Sequence, residues 1–288
     1  MFGTASVLLA GLALAACSLR DEHATIAITV RGSDTLVQVS TAWAERYRRN
    51  VAGVAVNASG GGSGTGIAGL VDGTVDIATA SREMKPQERA QIRARRGVEV
   101  TEHVIGYDAL ALYVHPANPV TSLSLPTLTR IWSEDADIAR WGQLTSGLDG
   151  PIVLIGRQNS SGTYDYFRDV VCGRTADGKH REFKNGISEL NGSSEVVEKI
   201  ARARLALGYT GMGYRTDRVR WLGVSRDEGA PPVEPSIESA RTGAYPLARR
   251  LYVYTAGAPS AEVRAFIAWT LSAEGQRIVA EEGYVPVQ

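Results

Sequence analysis

The residues whose types and spacing could do chemistry fall in three short polar turns: Gly32-Ser33-Asp34-Thr35, Ser59-Gly60-Gly61-Gly62-Ser63-Gly64-Thr65-Gly66, and Arg157-Gln158-Asn159-Ser160-Ser161-Gly162-Thr163. Each stands before a segment that reads as a helix. A helix amino terminus offers N–H groups with no intrahelical partner and about half a positive charge. Glycine lets an oxyanion approach the backbone there, and Ser and Thr hydroxyls add donors. Together with Arg157, such a set suits a tetrahedral anion. Ordinary capping and turn formation also select Ser, Asp, Thr and Gly, so any one turn says little. The conjunction of all three carries the reading.

Other chemistries lack parts. Gly64-Thr65-Gly66-Ile67-Ala68-Gly69 matches G-x-G-x-x-G, but Ser81-Arg82 stand where a ribose-binding acid would follow the next strand. No lysine follows these glycines, as a phosphate-binding P-loop requires, and neither Ser63 nor Ser161 lies in a G-x-S-x-G elbow. The cysteines are two, and His23, His103, His115 and His180 have no zinc-ligand spacing. We therefore expect no metal and no cofactor and assign no catalytic residue, while triad partners distant in sequence leave an enzyme open at this point. Lys+Arg 31 balances Asp+Glu 31, so no overall basic field gathers nucleic acid, and anion recognition must be local. Arg46/Arg48/Arg49 and Arg93/Arg95/Arg96 read as solvated helix faces.

These turns need elements to hold them, and the chain supplies strand, turn and helix in repetition, the pattern of an α/β protein. Thr25–Val30 reads as a strand, and Leu36, Val39, Ala42, Trp43 and Tyr47 as one face of a helix ending near Asn50. Val54–Asn57 is a second strand, the glycine-rich turn runs over 58–65, and the next helix is expected from Gly66. Val75–Ala80 is a third strand and Pro86–Arg95 a charged helix. Val104–Val114 reads as a strand leaving one lobe for the other, and Pro246–Tyr254 as the return. Ser260–Leu271 and Ala273–Glu282 are amphipathic helices, with Gly283 as a stop. With 288 residues, two lobes are expected: 24–105 with 250–288, and 106–249.

Val7–Ala16 is apolar but too short to span a bilayer, and it reads as the core of a signal peptide over residues 1–16. Leu14-Ala15-Ala16-Cys17 fits a lipobox, so Cys17 is expected to carry lipid at the head of a linker, residues 17–23. Residues 1–6 contain no Lys or Arg, a departure that a start codon read too late would explain. Cys172 then has no partner and is expected to be a buried, inert thiol.

The strings RGSDTL (31–36), SGGGSGTGIAGLVDGTVDIATASR (59–82), IGYDALALYVHPANPV (105–120), GRQNSSGTYDYF (156–167), LGYTGMGY (207–214), YPLARRLYVYT (245–255) and FIAWTLSAEGQRIVAEEGYVPV (266–287) resemble, in order, the phosphate-binding proteins of bacterial phosphate ABC transporters, the PstS family. The resemblance implies a two-lobe periplasmic-binding-protein fold of type II, each lobe a mostly parallel sheet flanked by helices and the two joined by crossing strands. It implies a protein of the periplasm or cell surface, expected to be a monomer, and the lipobox at Cys17 adds the lipid anchor. Such a protein captures inorganic phosphate between the lobes and hands it to a membrane permease. The family's phosphate contacts fall on Ser33, Asp34, Thr35, Ser63, with Gly64 beside it, Arg157, Ser161, Gly162 and Thr163. Asn159 takes the place of an acid that partners the arginine. It leaves Arg157 its full charge and can orient it through its carbonyl.

Longer family members place an aspartate after the third strand to accept the proton of hydrogen phosphate. Here Ser81 stands in that place. An acceptor must come from elsewhere, and Asp34 and Asp108 are the candidates. Each also has a plain structural reading, Asp34 as a cap and Asp108 as a partner of hinge backbone. Two alternatives remain at this stage: a binder of another tetrahedral oxyanion, and a phosphate-ester hydrolase on the same fold.

Overall fold

The computed structural model describes residues 26–159, 161–175 and 177–287; the leader, Cys17 and the linker after it lie outside the described residues. The first half of the chain runs β1 (Ile26–Gly32), α1 (Val37–Asn50), β2 (Val54–Ser59), α2 (Ser63–Asp72), β3 (Ile77–Ala80), α3 (Pro86–Arg96) and β4 (Val100–Val114). Then come β5 (Ser122–Ser124), α4 (Leu125–Trp132), β6 (Val153–Arg157), α5 (Gly162–Val171), β7 (Ser188–Leu190), α6 (Ser193–Ala201) and β8 (Ala206–Gly211). The chain closes with β9 (Arg220–Trp221), β10 (Gly223–Ser225), α7 (Ile237–Arg241), β11 (Ala248–Ala256), α8 (Ala261–Thr270) and α9 (Ala273–Glu281).

One sheet runs in the order β2-β1-β3-β11-β4-β8-β6-β7, with β9 beside β4, while β5 and β10 form a separate parallel pair. Pairing is parallel in the two wings, β1 with β2 and β3, and β6 with β7 and β8. It is antiparallel along the seam, where β11 meets β3 and β4, and β4 meets β8. This is the two-lobe α/β fold that the sequence predicts, with its crossing strands paired to each other from Ala109/Ala248 to Val100/Ala256. The crossing strand begins at Val100, earlier than its apolar run, because its first residues pair along β11 at the surface and need no apolar side chains.

Each wing is covered on both faces. In the first lobe Ile28, Val30, Trp43 and Phe266 form one core and Ile67, Leu70, Ile92 and Tyr254 another. The Trp43 indole donates to Gly275 O at 2.9 Å and so ties α1 to α9. In the second lobe Trp132, Trp141, Phe167 and Tyr209 fill one face and Val196, Ile200 and Tyr113 the other. Phe167 stacks on Tyr209 with centroids 3.7 Å apart, a contact whose truncation to Ala would cost about 3–5 kcal/mol. Cys172 is buried against this core, and burial pushes its thiol up to about 12, so it carries no thiolate at neutral pH.

α2 begins at Ser63, a turn of chain sooner than its apolar periodicity suggests. The turning is completed by Gly61 (φ 110°) and Gly62 (φ 89°), left-handed values that favour glycine, and this frees Ser63 to be the first helical residue. The arginines of α3 read from sequence as a solvated face bind acids: Arg93 to Glu99 at 2.6 Å and Arg95 to Asp72 at 2.5 Å.

Candidate anion-binding cleft

Between the lobes lies a cavity of about 540 Å³, lined by Asp34, Thr35, Gln38, Asp108, Arg157, Gln158, Ser161, Gly162, Thr163, Asn191, Gly192, Ser193, Tyr214, Glu282 and Tyr284 among others. Its first wall is the short 3-10 turn Asp34–Leu36 that leads β1 into α1. The Ser33 N–H donates to Thr79 O at 2.9 Å, which sews this turn to β3. The Asp34 carboxylate accepts the Gly61 N–H at 2.8 Å, so it holds the glycine-rich turn against the first one. Its role in this structure is a clasp between turns, and no cap on its own helix is formed.

The opposite wall is the start of α5. Ser161 caps that helix by accepting the Thr163 N–H at 3.3 Å. Gly162, its first residue, lies so close to the first lobe that a Cβ would stand 2.7 Å from Thr35 Oγ1 and 2.9 Å from Thr35 Cα. The two turns that the sequence singles out at 32–35 and 157–163 thus meet face to face. The third does not line the cavity. The Ser33 hydroxyl donates to Ser81 Oγ at 3.0 Å, and the Ser81 backbone N–H donates to Ser63 Oγ at 3.2 Å, so Ser81 links the other two where strand ends and helix start converge. Gly64, within the same helix turn, is also absent from the lining. Arg82, beside Ser81, is turned to Glu88 at 2.8 Å.

A different helix start takes the third place in the wall, that of α6. Arg157, at the end of β6, donates through Nη1 to Ser193 Oγ at 2.6 Å and through Nη2 to Asn191 O at 2.9 Å. Its Nε is buried with no partner among the described residues. Asn159 makes none of the guanidinium's bonds, because the chain just before α6 reaches Arg157 first. The sequence reading missed Asn191 and Ser193; the Asn-Gly-Ser-Ser stretch ahead of an amphipathic helix was the available signal.

The floor of the cleft is a charge pair. Asp108 on β4 is 2 % exposed, and Arg249, its register partner on β11, donates to Oδ2 through Nη2 at 2.9 Å and Nε at 3.1 Å. Nη2 also donates to Thr35 Oγ1 at 3.0 Å, and the guanidinium lies 3.9 Å from the centre of the Tyr166 ring. Burial pushes the Asp108 pKa above the usual aspartate value, and Arg249 opposes that rise by charge and by hydrogen bonding. Tyr284 donates to Thr35 O at 2.7 Å, and burial raises its phenol pKa, with the Asp108 charge adding to the effect. Asp165, in the first turn of α5, is raised by burial and by Asp169 and Asp34, and is lowered by Arg168 and Arg249. Among the described residues no group of His, Cys, Asp and Glu could hold a metal ion, and no helix is long and apolar enough to cross a membrane.

The model of the PBP superfamily domain matches residues 20–274. The phosphate-binding protein PstS of Pseudomonas aeruginosa is 34% identical over 272 residues, covering 89% of this chain and 81% of the relative. The chain belongs to the PstS family. Solved structures agree with that membership. A possible phosphate-binding protein from Planctomyces limnophilus superposes with a TM-score of 0.81 at 29% identity, over 91% of this chain and 93% of that one. A candidate phosphate ABC transporter substrate-binding protein from Clostridium perfringens, solved with bound phosphate, gives 0.60 at 29% identity, over 91% and 100%. PstS proteins are binding proteins, which fits a cleft walled by helix starts and an arginine.

Proposed function

We propose that this chain captures inorganic phosphate between its lobes and delivers it to an ABC permease in the membrane, without covalent chemistry. The observation that carries the reading is that the Thr35 turn and the Gly162 helix start of the other lobe meet at the edge of a cavity that also holds Arg157 and a buried carboxylate. The phosphate-bound relative supports it. In our reading the anion takes N–H and hydroxyl donors from the Thr35 turn and from Ser161, Gly162 and Thr163, with Arg157 matching its charge. Charge-assisted bonds of this kind are about twice as strong as neutral ones. The family positions Ser33, Ser63, Gly64 and Ser81 stand behind this wall, outside the cavity lining, and would touch the anion only through a shift of these turns. In our reading Asp108 accepts the phosphate proton through Oδ1, which carries no hydrogen bond among the described residues, and Asp34, which gives one oxygen to Gly61, is the alternative acceptor. Sulfate, with no proton to give, would set its lone pairs against that carboxylate.

The lobes in this proposal divide at 105/106 and 249/250. Packing supports those points: Ile105 and Leu251 join the core of the first lobe, Leu110 and Leu247 that of the second. Lipid on Cys17 would hold the binding protein near its permease, as a monomer outside the cytoplasm.

Titration calorimetry on the purified protein, freed of bound anion by partial unfolding and refolding, tests the reading. Tight one-to-one binding of phosphate with sulfate silent is expected. Comparable heats from both anions would make the protein a general oxyanion binder, and silence from both would overturn the reading.

A further inference from the structure

We propose that Arg249 is the positioning residue for phosphate selectivity: it fixes Asp108 as an ionised hydrogen-bond acceptor at the cleft floor and couples that acceptor to the Thr35 turn. The inference rests on the phosphate reading above and extends it to a residue outside the family contacts carried onto this chain.

Arg249 and Arg250 are adjacent on β11, and the two-residue period of a strand sends them to opposite faces. Arg249 pairs with Asp108, Arg250 with Tyr107. One guanidinium therefore touches both crossing strands, Thr35 of the first lobe and Tyr166 of the second. Both of its bonds to Asp108 go to Oδ2, and no hydrogen bond reaches Oδ1 among the described residues. Asp108 nonetheless lines the cavity, so the carboxylate keeps accepting capacity at the place where the anion is to bind.

A carboxylate at 2 % exposure stays ionised at neutral pH only beside a cation. The other titratable groups that face Asp108 are Tyr166 from α5 and Tyr284 from the C-terminal segment, both kept neutral by burial. Asp34, Arg157 and Glu282 line the same cavity. None of these replaces Arg249 as the cation bonded to Asp108. At neutral pH phosphate always carries a proton to donate, whereas sulfate carries none. An ionised Asp108 favours phosphate; a protonated one can donate its O–H to either anion, and the discrimination is lost.

The test is competition calorimetry with phosphate and sulfate between about pH 6 and 9, a span in which a buried carboxylate that has lost its cation titrates. The parent is compared with Arg249→Met, Arg249→Gln, Arg249→Lys, Arg250→Met and Asp108→Asn. In Arg249→Met the phosphate-over-sulfate ratio should fall about tenfold or more at neutral pH and recover as pH rises and Asp108 re-ionises. Arg249→Lys should keep most of the ratio, and Arg250→Met all of it. Arg249→Gln gives the same reading should the Met variant not fold. Equal weakening of both anions with an unchanged pH profile, or loss of selectivity in Asp108→Asn while the neutral Arg249 variants keep it, would overturn the role of Arg249 and leave the phosphate reading intact. A parent that binds neither anion would overturn the reading itself.

Discussion

Thr35 sits in the turn that leads into α1 and Gly162 begins α5 in the opposite lobe, and the space between them is too small for a methyl group: a Cβ on Gly162 would approach the Thr35 backbone to 2.9 Å. Backbone cannot step aside as a flexible side chain would. Gly162→Ala is therefore expected to hold the lobes apart and to weaken phosphate binding by about tenfold or more. Alanine is a better helix former than glycine, so thermal stability should not fall. Calorimetry and small-angle scattering check this, and unchanged affinity with an unchanged radius of gyration would refute it.

Arg157 is held by Ser193 and Asn191 with its Nε unpartnered, so it is already oriented when the anion arrives. Arg157→Ala should cost about 2–5 kcal/mol of phosphate binding, since the anion would then lie in the cleft poorly compensated. Ser193→Ala should cost less, because the Asn191 carbonyl remains. A binding isotherm of Arg157→Ala that overlays the parent's would remove Arg157 from the site.

Asp34 and Asp108 can be separated by one pair of measurements. Because Asp34 clasps Gly61 at an exposed turn, Asp34→Ala should cost about 0.5–1.5 kcal/mol of stability, read as a small fall in the thermal midpoint, and weaken both anions alike. A phosphate-over-sulfate ratio that collapses in Asp34→Ala would transfer the acceptor role to Asp34.

Asp108 also makes a prediction about stability and pH. Its folded pKa lies above the ordinary aspartate value, so between those two values the folded state binds more protons than the unfolded one. Its contribution is thus fully present below the unfolded value and declines as pH rises through the folded value. The difference in thermal midpoint between parent and Asp108→Asn, without anion, should shift in favour of the variant as pH climbs from about 4 toward neutrality. A pH-independent difference would show that Asp108 does not titrate above its ordinary value.

Much of this architecture is legible in the sequence because local signals and packing agree. The wing strands are short apolar runs between turn residues, and α1 carries its buried face at Val39, Trp43 and Tyr47, three and four residues apart. The pairs that complete the cleft are legible only in three dimensions. Arg249 and Asp108 lie 141 positions apart, and nothing local distinguishes Arg249 from Arg250 until the strand's register assigns a face to each. The helix starts mislead for a related reason: Ser63 and Ser193 sit in similar turns, and only the packing of α2 and α6 decides which lines the cavity. Asn159 looks like the orienting partner of Arg157 because it is near in sequence, whereas the bonds are made by residues more than thirty positions away.

The crossing strands have a mechanical consequence. β4 and β11 are laced together along nearly their whole shared length, with a single slip in register between Leu251 and Tyr252. Such a ribbon strongly resists sliding of one lobe past the other, since every rung would have to break at once. It yields to bending and twisting, and an irregularity of this kind is where a ladder twists most easily. Rotation about the ribbon, on which Val285 also pairs with Tyr107, is then the motion between the lobes that the ladder opposes least. Such a rotation would carry the walls of the cleft toward each other along an arc.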